Sequence, residues 1–480
     1  MRRVTAPLLL PLLFVAVALA IWSSPSSPRP NVLLITVDTL RADRLSSYGY
    51  AKHETPNFDR LAHEGVLFEN AFCDVTWTTP SLASVMTGRY ATVHRLQSSY
   101  NRLRADLPTI AETLRASGYH TAAIVGSFPV HSIFGLNRGF VSYDETFSVP
   151  LLLRDLPEPP PDQLRDDDTR QMARFLKSKA LHDAYRPDDR VSDRALRWLR
   201  HERREPFFLW LHYFGPHEKP HGTDNMLEER RLSLARYESD VLNADAQVGR
   251  VLEALDTLGL SRRTVVVLHA DHGQSLLEHD YFGHGRYLFD DCQRVPLLLR
   301  LPDRRAAGTR VHPMVRNLDI FPTVLELAGV APSGPLDGTS LLRALRHDGA
   351  PEEVYVETYL SATWLFADID PAAERRVGMR RRGIRTPQWK LVANDPMPLL
   401  DRADAPLAPD DERRRYASEA LYDLAADPGE TRNVLDDHPE IAQALRQRLS
   451  SYGATSEPAL ERVPLDDAMR ARLEALGYLE

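Results

Sequence analysis

Asn31-Val32-Leu33-Leu34-Ile35-Thr36-Val37 runs directly into Asp38-Thr39-Leu40-Arg41. Seven nearly continuous apolar residues, too few for a typical helix, suit a strand buried on both faces, as in a parallel sheet. Its C-terminal end delivers a carboxylate. Similar runs occupy Thr121 to Val125, Pro206 to Leu211, Thr264 to Leu268 and Val295 to Leu299. Helical patterns fall between them at Asn57 to Glu64, Leu107 to Ser117, Arg190 to Arg200 and Tyr237 to Leu258. Strands alternating with helices predict an α/β fold with a large, mainly parallel sheet flanked by helices, whose ligands gather at the C-terminal strand ends.

From about Glu352 the texture changes. Val354 to Leu360, Gly383 to Arg385 and Trp389 to Ala393 read as short antiparallel strands. A turn region over Tyr422 to Asn433 and a helix near Ile441 to Leu449 follow. The expected organisation is a catalytic domain over 31–350, a smaller C-terminal α+β lobe over 351–455 and a tail over 456–480, in which Leu465 to Leu479 docks as a short helix. Pro157 to Asp168 reads as an exposed insertion.

Residues 1–30 stand apart. Met1-Arg2-Arg3 precedes an apolar run from Ala6 to Trp22, and Ser23 to Pro30 is a Ser/Pro-rich spacer. A basic start followed by an apolar stretch reads as a secretory signal or an N-terminal membrane anchor. The expected location is therefore extracytoplasmic, periplasmic or secreted, with N-terminal membrane association if the segment is retained.

The chain has 480 residues, 43% hydrophobic and 26% charged, with 67 acidic against 59 basic residues. That balance argues against a nucleic-acid partner. The two cysteines, Cys73 and Cys292, exclude a disulfide framework and a four-cysteine zinc site. Seventeen histidines are the better supply of ligands and proton carriers.

Three segments carry the chemistry: Val37 to Arg41, Thr78 to Arg89 and Ala270-Asp271-His272-Gly273. Pro80 suits the first turn of a helix and Gly88 its end, which puts Thr78 just before the helix, beside its free N–H groups. Taken alone, Thr78 there reads as a helix cap. Asp38 and Asp271 each follow an apolar strand, so both carboxylates belong on one rim of the sheet. With the His272 imidazole and a hydroxyl they suit one divalent cation, which lowers the hydroxyl pKa and neutralises a transferring oxyanion.

Together these segments resemble the sulfatase family of the alkaline phosphatase superfamily. The resemblance spans roughly Asn31 to Asn433 and includes Thr55-Pro56-Asn57-Phe58-Asp59, Pro216-His217, Asp271-His272-Gly273, Arg294-Val295-Pro296-Leu297, Asp319-Ile320-Phe321-Pro322-Thr323 and Asp427 to Asn433. It implies that Asp38, Asp271 and His272 are metal ligands and that Thr78 is the nucleophile and also touches the metal. It further implies that His217 contacts the substrate oxyanion and that His284 is a second substrate contact or the acid for the leaving group. His212, His269 and His279 read as structural. The implied cofactor is one divalent cation, Ca, Mn, Mg or Zn. The two-metal members carry an added Asp-x-x-x-His cluster that is missing near Gly215 to His217.

The chain also departs from the family pattern. Where the family has a cysteine or serine that becomes formylglycine, this chain has Thr78, and the arginine four residues later is Leu82. Threonine cannot yield that aldehyde, so no formylglycine is expected. The second aspartate of the usual pair is Thr39, the Gly-Lys-x-His stretch reads Gly126-Ser127-Phe128-Pro129, and the glutamate after Asp-His-Gly is Gln274. A formylglycine hydrate expels sulfate by collapsing to the aldehyde, whereas a threonine ester must be cleaved by attack at the central atom. The expected enzyme is thus a metal-dependent hydrolase of sulfate or phosphate esters, with the chemistry tilted toward phosphate. Its partner is a sulfated or phosphorylated small molecule, glycan or lipid head group. The alternatives are a phospho-group transferase of the cell envelope (phosphoethanolamine or phosphoglycerol type) and an inactive sulfatase-fold protein that binds glycans.

Overall fold

The structure, a computed structural model, describes residues 29–97, 101–150, 183–217, 226–279, 282–360, 378–397, 419–452 and 466–469. The apolar segment over 6–22, the insertion over 157–168 and nearly all of the tail lie outside these residues. Among the described residues, no helix is long and apolar enough to cross a membrane.

The strands in chain order are β1 (Asn31–Val37), β2 (Val66–Phe72), β3 (His120–Ile124), β4 (Ser142–Asp144), β5 (Val149–Pro150), β6 (Asp183–Tyr185), β7 (Phe207–Tyr213), β8 (Thr264–His269), β9 (Ser275–Leu276), β10 (Phe282–Gly283), β11 (Arg294–Arg300) and β12 (Thr309–Arg316). Eight of them form the main sheet, in the order β12-β2-β11-β8-β1-β7-β3-β4. Every residue of β1 is buried, as its apolar run requires. It pairs in parallel with β7 and β8, so three strands end on the same rim. Helices Pro56–Glu64, Ile110–Ala116, Asp188–His201 and Met226–Thr257 fall near the predicted positions. Ile110–Ala116 starts at a capping box between Thr109 and Glu112, which satisfies free N–H groups of its first turn.

Three features differ from the sequence reading. β11 is antiparallel to both β2 and β8, although its apolar run was read as a parallel strand. Apolar continuity reports burial on two faces and says nothing of direction. β2 and β12, which carry Glu69, Asn70, His312 and Pro313, were not recognised because polar residues break their apolar runs. The Met226–Thr257 helix begins eleven residues before Tyr237, in a stretch dominated by charge.

The C-terminal lobe is a four-stranded antiparallel sheet, β13 (Val354–Leu360), β14 (Gly378–Arg385), β15 (Trp389–Met397) and β16 (Glu419–Asp423), backed by helix Pro439–Ser450. It is joined to the main lobe by buried polar contacts. The Lys390 ammonium is fully buried; it donates to Leu288 O at 3.0 Å and pairs with Asp290 and Glu430 at 2.6 Å each. Arg385 adds a second cation at 3.0 Å from Asp290. Although burial alone pushes the Asp290 carboxyl up, these two cations hold it well below the usual range. Lys390→Met leaves the buried Glu430 carboxylate without its cation and Asp290 with Arg385 alone, and breaking a buried pair costs about 3–5 kcal/mol. A denaturant-unfolding loss under ~1 kcal/mol at pH 7.5 would contradict this.

Candidate active site

β1 ends beside β7, where Asp38 N–H donates to Tyr213 O at 2.9 Å. Thr39 then turns the chain at φ 54°. A non-glycine residue pays for that left-handed conformation, and here the Thr39 N–H gains Asp271 Oδ1 at 3.2 Å. Asp271 lies two residues beyond β8. Its Oδ1 also accepts the His272 N–H at 3.0 Å. Its backbone carbonyl is fixed by Ser81 Oγ at 2.6 Å and Asn317 Nδ2 at 3.0 Å.

The third segment forms helix Thr78–Thr87, all ten residues of which are buried. Pro80 lies in its first turn, and Gly88 closes it at φ 65°. Thr78 is the first residue inside the helix, and Trp77 occupies the cap position with no side-chain capping bond. The sequence pattern places Thr78 one residue outside. Its hydroxyl serves the site instead, with Oγ1 3.1 Å from His272 Nε2. Leu82, at the place of the missing arginine, packs into the core.

One ligand atom each from Asp38, Asp271 and His272 lies within 4.8 Å of the others, and all three residues are buried. His272 Nδ1 donates to Gly273 O at 2.9 Å, which turns the Nε2 lone pair toward Asp271 Oδ2 at 3.4 Å and Asp38 Oδ1 at 3.9 Å. Both Asp38 oxygens and Asp271 Oδ2 lack a hydrogen-bond partner among the described residues. Buried carboxyl oxygens with no donor, next to an imidazole lone pair, fit a divalent cation. Burial, and then the Asp271 charge, push the Asp38 carboxyl well up; burial also raises Asp271, to about 7. Burial lowers His272 to about 4, so the imidazole is neutral and available as a ligand.

These shifts fix a pH signature for the metal-free protein. Folded-state pKa values raised above the unfolded value mean that the fold holds extra protons, so stability is gained as pH falls through them. Asp271 and Asp188 at about 7 and Asp74 at about 8 act in this sense. Below the ordinary histidine pKa, burial works the other way. His94 and His212, lowered to about 3, and His269 and His272, lowered to about 4, lose stability as the unfolded chain takes up protons. Chelator-treated protein is therefore expected to be most stable near pH 6.5 and to lose on the order of a kcal/mol toward pH 8. A denaturation midpoint that climbs steadily from pH 6.5 to 8 would refute this.

The two remaining sequence candidates meet at the same place. His217 Nε2 and His284 Nε2 are 3.1 Å apart, and the His284 ring lies 4.4 Å from that of His272. His284 Nδ1 faces Thr76 O at 3.3 Å, so His284 Nε2 accepts and His217 Nε2–H donates. The His217 ring stacks on Phe214 at 4.5 Å. Buried Asp188 clamps that turn, its Oδ1 accepting the N–H groups of Phe214 and Gly215 at 3.1 Å each. His284 is steadied by Trp77, edge-on at 5.3 Å, whose Nε1 donates to Gly285 O at 3.1 Å. Gly285, at φ 83°, admits the indole where a Cβ would lie 2.1 Å from it. Asp188 and Trp77 were missed from sequence: Asp188 acts across 26 residues, and a lone Trp ahead of a helix carries no signal.

All of Asp38, Thr78, His217, Asp271, His272 and His284 thus converge on one rim of the sheet. His269 and His279 stay outside it: His269 bonds Thr36 Oγ1 at 2.9 Å, and His279 stacks on Phe289.

Known proteins share this arrangement of sequence and fold. The sulfatase family model matches residues 30–330, and a model of the C-terminal region of N-sulphoglucosamine sulphohydrolase matches 277–406. An N-acetylglucosamine-6-O-sulfatase of Bacteroides thetaiotaomicron is 22% identical over 94% of this chain and 92% of its own. The phosphonate monoester hydrolase of Agrobacterium radiobacter superposes with a TM-score of 0.64 at 22% identity, covering 88% of this chain and 95% of that one. A protein solved with its substrate D-glucosamine-2-N,6-O-disulfate superposes at 0.64 with 20% identity, over 88% and 97% of the two chains. With the family model spanning well over half of its length, the chain belongs to the sulfatase family and is a hydrolase of sulfuric or phosphoric esters.

Proposed function

We propose that the protein is an extracytoplasmic, metal-dependent hydrolase of sulfate or phosphate esters that uses unmodified Thr78 as its nucleophile. The observation that carries this reading is the Thr78 hydroxyl at the buried N-terminus of its helix, 3.1 Å from His272 Nε2 and beside the Asp38 and Asp271 carboxylates. Asp38, Asp271 and His272 hold one divalent cation, which when bound lowers the pKa of the Thr78 hydroxyl and neutralises a substrate oxyanion. The helix N-terminus favours the same negative charge.

Thr78 Oγ1 gives up its proton to water and attacks the sulfur or phosphorus, the bond to the leaving oxygen breaks, that oxygen takes up a proton from water and departs as the alcohol, and a threonine ester results. Water then cleaves that ester at the same central atom. Two displacements replace one difficult one. His217, a donor at Nε2, contacts the ester oxygens, and His284, whose Nδ1–H is held by Thr76 O and whose Nε2 accepts from His217, orients that donor beside the leaving oxygen. Burial and the nearby His272 push the His284 pKa well down, so it is neutral at pH 7 and acts through hydrogen bonding.

A sulfated or phosphorylated sugar is the favoured substrate class, because one relative is a sulfatase of N-acetylglucosamine and one structural neighbour holds a disulfated glucosamine. The threonine tilts the transferred group toward phosphate. The test is a panel of aryl sulfate, sugar sulfate, phosphate monoester, phosphodiester and phosphonate substrates, assayed with several divalent cations. Turnover of any of them that survives exhaustive chelation at its full rate would sink the reading. Retention of the N-terminal segment in the mature protein, read by mass spectrometry, decides between anchored and released forms.

A further inference from the structure

His212 is fully buried, and among the described residues neither of its ring nitrogens has a hydrogen-bond partner. An unpaired polar group in a dry interior is costly, and the polar neighbours of the ring do not relieve it. The adjacent His269 is fully engaged, by Thr36 Oγ1 at 2.9 Å and Ala270 O at 3.0 Å, and Trp210 Nε1 takes the same Thr36 hydroxyl at 3.1 Å. His212 is left facing Asp38. The parallel register of β1 and β7 pairs Thr36 with His212, and the ring reaches forward so that Nε2 lies 3.6 Å from Asp38 Oδ2.

The two oxygens of Asp38 therefore look in different directions. Oδ1 faces His272 Nε2, on the side of the candidate cation, at 3.9 Å. Oδ2 faces His212. His212 is fully enclosed, and an imidazole in its neutral form carries a single N–H. Placed on Nε2, that proton points at a carboxylate oxygen with no hydrogen-bond partner among the described residues, and a small rotation of the carboxylate closes the gap to a hydrogen bond. Placed on Nδ1, it leaves two lone pairs facing each other.

We propose that His212 is a positioning residue that donates its Nε2–H to Asp38 Oδ2 and so presents Asp38 Oδ1 to the cation. This rests on the reading of Asp38 as a metal ligand. It assigns to an imidazole the role that outer-shell partners play for ligating groups, whose loss costs roughly 10–100-fold in metal affinity.

The experiment is calorimetric titration of chelator-treated, full-length protein with Mn2+ at pH 7.5. His212→Phe keeps an aromatic ring, slightly larger, and removes the donor; His212→Gln restores an amide N–H near the Nε2 position. His212→Phe is expected to bind Mn2+ roughly 10–100-fold more weakly, with a metal-free melting temperature close to wild type, and His212→Gln to recover most of the affinity. His212→Phe with wild-type affinity overturns the proposal, as does an equal loss in both variants, which would make ring packing the cause. Nitrogen-15 shifts of His212 in the wild type give a check independent of folding in the variants: an Nε2–H tautomer is expected, and Nδ1–H overturns the assignment. Wild type that takes up no Mn2+ overturns the cation reading itself and this inference with it. Wild-type binding matched by His212→Phe overturns this inference alone.

Discussion

Thr78→Ala is expected to lower turnover of the best ester substrate by roughly 10^4-fold or more, the scale seen when a covalent nucleophile is removed. The change deletes one hydroxyl and one methyl group from a fully buried position. It leaves Ser81 Oγ on Asp271 O and the Asn317 bonds in place, so the backbone that carries Asp271 stays where it is. Cation affinity is therefore expected to change far less than turnover. Thr78→Ser keeps the nucleophile and should retain much of the activity. Intact mass after a brief reaction is expected to show a phospho or sulfo adduct on wild type and none on the alanine variant. Thr78→Ala that keeps a tenth of wild-type turnover would remove Thr78 from the mechanism.

Asp271→Asn acts through the cation. The asparagine carbonyl still accepts from the N–H groups of Thr39 and His272, so the local backbone is preserved, while the oxygen that faces His272 Nε2 is replaced by an amide. Cation affinity is expected to fall by more than the roughly 100-fold that loss of an outer-shell partner costs, and turnover to fall with it at any fixed metal concentration. Stability moves in the opposite sense. Wild-type Asp271, raised to about 7 by burial, carries a costly charge at pH 8 in the metal-free protein, and asparagine removes that charge. Metal-free Asp271→Asn is therefore expected to be more stable than wild type at pH 8, with the difference shrinking toward pH 6. Unchanged cation affinity would sink the proposed ligand set.

The residues legible from sequence were those whose positions are set locally. Asp38 and Asp271 follow apolar strands, and Thr78 precedes a proline and a glycine at helical spacing, so a sheet rim could be inferred from short-range pattern. The error of one residue at Thr78 has a physical cause: Trp77 takes the cap position without a side-chain bond, and the Thr78 hydroxyl is drawn to His272 rather than to the helix N–H groups. What escaped were features created by register and by long-range pairing. His212 was read as structural because its relation to Asp38 exists only once β7 lies parallel to β1. The direction of β11 and the presence of β2 and β12 depend on neighbours that no local pattern names. The resemblance to sulfatases supplied His217 and His284; the spacing of 67 residues between them would not have.

The loop after β10, which bears His284, is held from the C-terminal sheet. Thr358 Oγ1 donates to Gly285 O, Arg381 to Arg286 O and Lys390 to Leu288 O. Three backbone carbonyls within four residues thus answer to strands β13, β14 and β15. A chimera that joins residues 31–350 to the C-terminal lobe of another family member would inherit a different grip on His284 even with every candidate ligand unchanged. Recombination at that boundary therefore varies the seat of His284 while Asp38, Asp271 and His272 keep theirs.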